Sequence, residues 1–180
     1  MAKDTWSGIY TRAKKDAFAE MLCDIIKYIP RGVRHDSRFN KIRKFFYKLS
    51  GVKIGARSYI YPDVTIIIPS KIKIGCDSFI NFGGLLSAYG GITIGDSVSI
   101  GYNCSIITES HDFDSIDYNI IVKPVIIEDN VWIGSNATIL PGVKIAESSV
   151  IAAGAVVTSD TEKNFIYGGI PAKKIKQRTI

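Results

Sequence analysis

An aliphatic residue returns at every sixth position along the second half of the chain. The series consists of Ile127, Ile133, Ile139, Ile145, Ile151 and Val157. Four positions after these anchors, small or β-branched residues recur: Val131, Ala137, Val143, Ser149 and Ala155. A period of six fits neither an α-helix nor an alternating strand. It predicts a flat-sided coil, in which each six-residue unit makes one short strand and one corner, and three units close a triangular turn.

The same period extends towards the N-terminus with two interruptions. The upstream anchors are Ile54, Ile60, Ile66 and Ile72, then Ile74, Ile80, Leu86 and Ile92, then Ile94, Ile100 and Ile106. The register jumps by two positions at 72→74 and 92→94, so the first two coils should each hold about two extra residues at a corner. The architecture is therefore a parallel β-helix of about five coils over residues 51–162, and a β-sandwich of short strands is the alternative.

Two local features of the repeat carry further expectations. Glycine follows the anchor at Gly55, Gly75, Gly95, Gly101 and Gly134. We expect these corners to need backbone angles that penalise other residues. Between Ile94 and Ile127 lie about 15 residues more than a regular coil needs, and they fall in the polar stretch 108–124. That stretch predicts a long loop that leaves the prism, a common location for functional residues.

The chain outside the repeat divides into a basic N-terminal cap (1–50) and a C-terminal segment (163–180). Helical spacing of apolar residues predicts an amphipathic helix over 17–29, and a second helix, basic and aromatic, over 38–49. Residues 1–50 carry a net charge of +7 and residues 51–180 a net charge of −1. We expect helix 38–49 to cap the prism and contact a neighbouring chain, or to touch an anionic membrane from its surface. Nucleic acid is not expected as a partner, and residues 168–172 should turn the chain off the prism.

Composition favours a cytoplasmic protein without a metal site. The three cysteines are an odd number without metal-ligand spacing, so we expect neither a disulfide framework nor a bound metal. Cys104 occupies a small position of the repeat and should be a packing residue. We find no secretory signal and no apolar run long enough to cross a bilayer.

The strongest candidate for chemistry is His111, one of two histidines, at the start of the inserted loop. An imidazole with a pKa near ~6.5 takes a proton from an alcohol and returns it to a thiolate near neutral pH. A lone histidine is often structural, but its position at the loop entrance favours a catalytic role.

Several motifs resemble one known family. They are Ser110-His111-Asp112, the segments 124–134 and 151–158, Pro141-Gly142-Val143, and the turn 169–173. Together with the six-residue period, they resemble the hexapeptide-repeat acetyltransferases, in particular the galactoside and maltose O-acetyltransferases and the sugar O-acetyltransferases of polysaccharide pathways. The resemblance covers roughly residues 50–178. It implies a left-handed β-helix, a homotrimer, and transfer of acetyl from acetyl-coenzyme A to a hydroxyl of a sugar.

The resemblance also implies roles for individual residues. His111 matches the catalytic base, and Asn81 matches a catalytic asparagine that positions the reacting groups, although it could simply be a corner residue. Asp112 is expected to face the acceptor. The residues expected along coenzyme A are Trp132, Ser135, Ala153, Thr158, Lys173 and Lys176. Trp132 could instead be a subunit contact.

Two other functions are compatible with a β-helix of this kind. An acetyltransferase could act on serine, an amino sugar or an antibiotic, and a β-helix could serve only as a scaffold. A trihistidine zinc site of the carbonic anhydrase type is excluded in one chain because only two histidines are present.

Overall fold

The prism predicted from the repeat is present in the computed structural model, which describes residues 6–30, 37–117 and 119–179. Three parallel sheets, named A, B and C here, form its sides, and the chain visits them in that order in every coil. We name each corner by the sheets that it joins, so that the B–C corner follows a strand of sheet B. This arrangement is a left-handed parallel β-helix, which confirms the predicted fold.

The strands are short. Sheet A contains β1 (Lys53–Ile54), β4 (Ile72–Ile74), β7 (Ile92–Ile94), β12 (Val125–Ile127) and β15 (Lys144–Ile145). Sheet B contains β2 (Tyr59–Ile60), β5 (Phe79–Ile80), β8 (Ser99–Ile100), β13 (Trp132–Ile133), β16 (Val150–Ile151) and β18 (Phe165–Gly168). Sheet C contains β3 (Thr65–Ile67), β6 (Leu85–Ser87), β9 (Ser105–Ile107), β14 (Thr138–Ile139) and β17 (Val156–Val157). The described chain thus forms five complete coils, and β18 begins a sixth.

The pairing register follows the anchors. Ile74 pairs with Ile54 on one side and Ile94 on the other, so the first two coils advance by 20 residues each. The coil from Ile127 to Ile145 advances by the regular 18. The extra residues of coil one lie at the C–A corner, where a short 3₁₀ helix, Pro69–Lys71, precedes β4. Both predicted two-residue insertions are therefore confirmed.

The anchors fill the interior of the prism in stacked rows. Ile133, Ile139 and Ile145 have no exposed surface, and each such side chain stabilises the fold by roughly 1.5–3 kcal/mol. Cys104 is also buried at a small position, where its Sγ lies 3.2 Å from Gly134 O. Burial raises the pKa of this thiol, which fits the predicted packing role.

The glycines after the anchors are required for a reason other than the predicted one. None of the five has a positive φ. Instead, a Cβ on any of them would overlap the next coil; at Gly134 it would lie 2.6 Å from Ala153 N. The left-handed corner positions are held by other residues, among them Asn103, Asn130 and Asn136. The expectation about backbone angles was wrong, because the close stacking of successive corners excludes a side chain here.

Two helices cover the first coil. Helix α1 spans Trp6–Ile25 and continues as a 3₁₀ turn through Tyr28, whereas the prediction began it at residue 17. Regular apolar spacing marks only part of this helix, and a helix can extend beyond the stretch in which that spacing is evident. Helix α2 spans Arg38–Leu49, as predicted, with Ser37 capping it through a bond from Asn40 N. It packs on β1 and β2 through the buried Tyr47, and so caps the prism.

The last described element is a strand of opposite direction. After the turn 169–172, β19 (Lys173–Gln177) pairs antiparallel with β18, so the chain reverses direction where the sequence predicted a turn. In the part of the chain that the structure describes, no helix is long and apolar enough to span a membrane.

Candidate active site

A groove runs along the B–C corner of coils two to five. Its cavity measures about 530 Å³. It is lined by Asn81, Gly101, Tyr102, Trp132, Gly134, Ser135, Val150, Ile151, Ala152 and Ala153. The structure therefore brings together four of the residues that the sequence singled out, namely Asn81, Trp132, Ser135 and Ala153. We call this cavity the corner groove.

Asn81 follows β5 directly and is half-buried at the N-terminal end of the corner groove. Its Nδ2 donates a hydrogen bond of 3.0 Å to Ile100 O, on the next coil. This bond fixes the side-chain amide and uses one of its two N–H groups. The second N–H and the carbonyl oxygen are left for a group bound in the groove.

The C-terminal part of the corner groove has a floor of small residues. Ser135 follows Gly134, and its Oγ accepts a hydrogen bond of 3.2 Å from Tyr102 N. Ala153 occupies the corresponding place one coil further on, and the backbone of both coils lies close to the surface. An extended chain fits such a floor, because small side chains leave room for it to lie close to the backbone.

Trp132 separates the corner groove from a second, smaller depression. Its side chain is 57% exposed, and it also lines a cavity of about 220 Å³ that includes Lys176. The three lysines of β19 differ in their surroundings. Lys174 forms an ion pair of 2.6 Å with Glu162 and lies over the Phe165 ring. In the described ranges, neither Lys173 nor Lys176 has a carboxylate partner, so their charges are available to an anion.

The predicted loop is a β-hairpin rather than an irregular segment. Strand β10 (Glu109–His111) pairs antiparallel with β11 (Ile120–Val122), and His111 lies opposite Ile120. At the base of the hairpin, Ser87 Oγ of β6 donates a hydrogen bond of 2.5 Å to Glu109 Oε1, and this bond connects the hairpin to sheet C. His111 is exposed. One oxygen of the Asp112 carboxylate accepts the Asp114 N–H at 3.1 Å, which holds the turn of the hairpin.

His111, Asp112 and Thr158 do not line the corner groove. All three follow strands of sheet C and so belong to the C–A corner, whereas Asn81 and its neighbours belong to the B–C corner. Sheet C separates the two corners within one prism. The predicted base and the predicted asparagine therefore lie on different edges of the same chain.

The sequence did not single out Tyr102, although this residue lines the corner groove and is 52% exposed. The only signal was its position two residues after the anchor Ile100, equivalent to that of Phe82 after Ile80. His35 lies outside the described residues. Within the described ranges, no three His, Cys, Asp or Glu side chains are grouped to hold a metal ion.

Comparison with known proteins decides the family. Residues 124–159 match the model of the bacterial transferase hexapeptide (six repeats). The galactoside O-acetyltransferase of Escherichia coli K12 is 32% identical over 146 residues, which cover 79% of this chain and 71% of that protein. The chain belongs to the hexapeptide-repeat acetyltransferases.

Other members agree with this assignment. A putative colanic acid biosynthesis acetyltransferase of E. coli K12, WcaF, is 32% identical over 76% of this chain and 75% of its own length. A putative acetyltransferase of Schizosaccharomyces pombe is 38% identical over 121 residues, although this chain spans only 58% of that protein.

A solved structure indicates the donor. A hexapeptide-repeat acetyltransferase from Vibrio cholerae O1 biovar eltor, complexed with acetyl-coenzyme A, superposes with a TM-score of 0.75 at 30% identity. The superposition covers 89% of this chain and 87% of that one. The protein described here is therefore an acyltransferase whose co-substrate is acetyl-coenzyme A, as its sequence predicted.

Proposed function

We propose that the protein transfers acetyl from acetyl-coenzyme A to a hydroxyl of a sugar or a polysaccharide precursor. The observation that carries the proposal is the corner groove, in which Asn81 lies at one end of a floor of small residues and Trp132 at its side. The similarity to a galactoside O-acetyltransferase and to WcaF supports a saccharide as the acceptor.

In the proposed reaction, His111 accepts the proton of the acceptor hydroxyl while its oxygen attacks the thioester carbonyl carbon. The C–O bond forms, the carbonyl oxygen becomes an oxyanion, and the second N–H of Asn81 donates to it. When the intermediate collapses, the C–S bond breaks. His111 returns its proton to the departing sulfur, so coenzyme A leaves as the thiol and the sugar leaves as its acetyl ester.

This mechanism needs two chains. Because His111 lies at the C–A corner and Asn81 at the B–C corner, one chain does not bring them together. We propose a homotrimer in which the C–A corner of each chain closes the corner groove of its neighbour. Thr158, also at the C–A corner, would then border the donor from the neighbouring chain.

Mixed trimers test this arrangement. His111→Ala and Asn81→Ala chains with different tags are co-expressed, and assemblies that carry both tags are purified. A trimer of both chain types contains one site in which His111 and Asn81 are both intact, so about one third of wild-type activity should return. If the two residues acted from the same chain, no mixed trimer would exceed the single variants. Light scattering that gives a mass other than three chains would also contradict the proposal.

The donor would lie with its pantetheine arm along Ser135 and Ala153, and with its phosphates near Lys173 and Lys176 on β19. Lysine binds phosphate as a point charge. Lys176→Ala should therefore raise the KM for acetyl-coenzyme A while leaving kcat close to wild type. Lys174→Ala is the matched control, because Lys174 already pairs with Glu162. An equal rise in both variants would contradict the assignment.

The first experiment is release of thiol from acetyl-coenzyme A with a panel of sugars, nucleotide sugars and oligosaccharides. His111→Ala should lower acceptor-dependent turnover by about 10²–10⁴-fold, the usual contribution of a general base. Turnover that survives the substitution rules out His111 as the base. Turnover with serine or an amino sugar, but with no sugar hydroxyl, rules out the proposed acceptor.

A specific surface favours contact with a membrane as well. Large apolar side chains are exposed on both N-terminal helices: Phe18, Met21, Ile25 and Tyr28, then Phe39, Ile42, Phe45 and Leu49. Arg38, Lys41 and Lys48 are exposed beside the second group. We propose that this basic, apolar surface rests on an anionic bilayer, as the sequence predicted for residues 38–49.

Co-sedimentation with anionic and neutral vesicles tests this contact. Phe45→Gln combined with Leu49→Gln should reduce binding to anionic vesicles. Ile175→Gln, a control at a residue that is 60% exposed but lies on β19, should not reduce it. If the double variant sediments like wild type, the proposed contact with lipid is wrong.

A further inference from the structure

The B–C corner changes in character along the axis of the prism. In coils four and five it carries Gly134, Ser135, Ala152 and Ala153, which form the floor of the corner groove. In coils one to three, the residues one or two positions after the sheet B anchors are aromatic: Tyr61, Phe82 and Tyr102. The change falls beside Asn81, where the proposed reaction takes place.

The three aromatic rings pack one against the next in a row, which we call the aromatic stack. The ring centroids of Tyr61 and Phe82 are 5.1 Å apart with their planes tilted by 30°, and those of Phe82 and Tyr102 are 6.1 Å apart with their planes 9° from parallel. Exposure rises along the stack: Tyr61 is buried, Phe82 is half-buried, and Tyr102 is 52% exposed. The inner rings therefore hold Tyr102 in place, and Tyr102 presents its ring at the wall of the corner groove.

We propose that Tyr102, supported by Phe82 and Tyr61, is a binding platform for a sugar ring of the acceptor. A pyranose ring has faces of C–H groups and an edge of hydroxyl groups. A fixed aromatic ring offers a flat apolar surface to such a face at a low cost in side-chain entropy. A sugar seated on Tyr102 would direct its hydroxyl edge towards Asn81, which lines the same groove.

The contrast between the two halves of the corner supports this assignment. The donor arm is a flexible, extended chain, for which a floor of small residues suffices. A sugar ring needs a broad apolar contact with a few polar groups at its border. Of the two exposed aromatic side chains that line the groove, Trp132 also borders the depression that contains Lys176, whereas Tyr102 belongs to the half that contains Asn81. The inference rests on the proposed function and deepens it, because it assigns the acceptor to the N-terminal half of the groove.

The test compares two kinds of acceptor in Tyr102→Ala, Tyr102→Leu and Tyr102→Phe. With the best saccharide found for wild type, Tyr102→Ala should raise the acceptor KM by about 5- to 30-fold, while the KM for acetyl-coenzyme A changes less than about twofold. Tyr102→Phe retains the ring and should stay near wild type. Transfer to glycerol, an acyclic alcohol without a ring face, should not depend on Tyr102.

Two results would overturn the platform. One is an unchanged saccharide KM in both Tyr102→Ala and Tyr102→Leu. The other is a raised KM for acetyl-coenzyme A with the saccharide KM unchanged, which would assign Tyr102 to the donor. Circular dichroism and calorimetric titration with coenzyme A identify any variant that misfolds, and Tyr102→Leu, which keeps an apolar side chain, then replaces Tyr102→Ala.

A binding measurement separates this inference from the proposed reaction. Saturation-transfer NMR detects saccharide bound to wild type or to the variants without any turnover. Saccharide that binds wild type but not Tyr102→Ala supports the platform, even if no sugar is acetylated and the proposed function fails. Absence of binding to wild type at millimolar saccharide overturns the platform as well.

Discussion

Gly134→Ala tests the conclusion that the corner glycines are required by the stacking of coils. An added Cβ would lie 2.6 Å from Ala153 N and 3.0 Å from both Ala152 C and Ala153 Cα. All three are backbone atoms of the next coil, so no side chain can move aside. An ordinary contact begins near 3.4 Å, and the two coils must therefore separate by about 0.8 Å at this point.

Such a separation stretches the hydrogen bonds between the coils. The bond from Gly134 N to Ile151 O measures 2.8 Å, and the bond from Gly154 N to Ser135 O measures 2.9 Å. Weakening of two bonds, each worth about 0.5–1.5 kcal/mol, adds to an overpacking cost of about 1–3 kcal/mol. We expect Gly134→Ala to lower the free energy of unfolding by about 2–4 kcal/mol.

Gly154→Ala is the matched control at the same corner, one coil further on. Its φ is +71°, and nothing lies within 4 Å of an added Cβ, so only the left-handed backbone conformation is penalised. That penalty is about 1 kcal/mol. Urea unfolding of both variants at one protein concentration, followed by circular dichroism, measures the difference. The stacking argument is refuted if Gly134→Ala costs no more than Gly154→Ala.

Two further predictions concern stability. Ile133→Ala removes a side chain with no exposed surface and should cost about 2–5 kcal/mol, whereas Ile126→Ala, at a residue that is 40% exposed, should cost much less in the same urea assay. Hydrogen bonds from the Arg57 guanidinium hold the pKa of the Asp77 carboxyl below its ordinary value. The pair therefore stabilises the fold at neutral pH and loses that contribution as the pH falls through the depressed pKa. Asp77→Asn should lower the unfolding midpoint at neutral pH, and the difference from wild type should vanish in strong acid.

The sequence predicted those parts of the fold that depend on a strict period. The anchors from Ile54 to Val157 have no alternative place in a narrow prism, so the strands, their register and the two-residue insertions could be predicted. The bounds of α2 followed from its apolar and basic spacing. The start of α1 could not be predicted, because regular apolar spacing is evident only in the second part of the helix. The reason for glycine at position 134 could not be predicted either, because the overlap of an added Cβ with Ala153 depends on the spacing between coils.

The candidate site was predictable only in part. Motif resemblance selected Asn81, Trp132, Ser135 and Ala153, which share the corner groove in the folded chain. Resemblance alone did not indicate that His111 would lie at a different corner. That information is in the repeat, because the anchors Ile80 and Ile106 belong to different sides of the prism. Tyr102 was missed because an aromatic residue at a corner fits the repeat as well as any polar residue does.

The segment that follows the last complete coil has a consequence for association between molecules. Each sheet of an open solenoid would end in unpaired backbone groups that invite a second molecule to add on. Here residues beyond the last coil occupy these positions. Thr161 N and Asp160 Oδ1 bond to the backbone of Lys144, and Ala172 N bonds to Val156 O. On the third side the outermost strand is β19, whose five residues, three of them lysines, are all exposed. Charge and occupied hydrogen bonds at these positions oppose end-to-end association of prisms. We therefore expect a variant that lacks residues 160–180 to be prone to fibre growth.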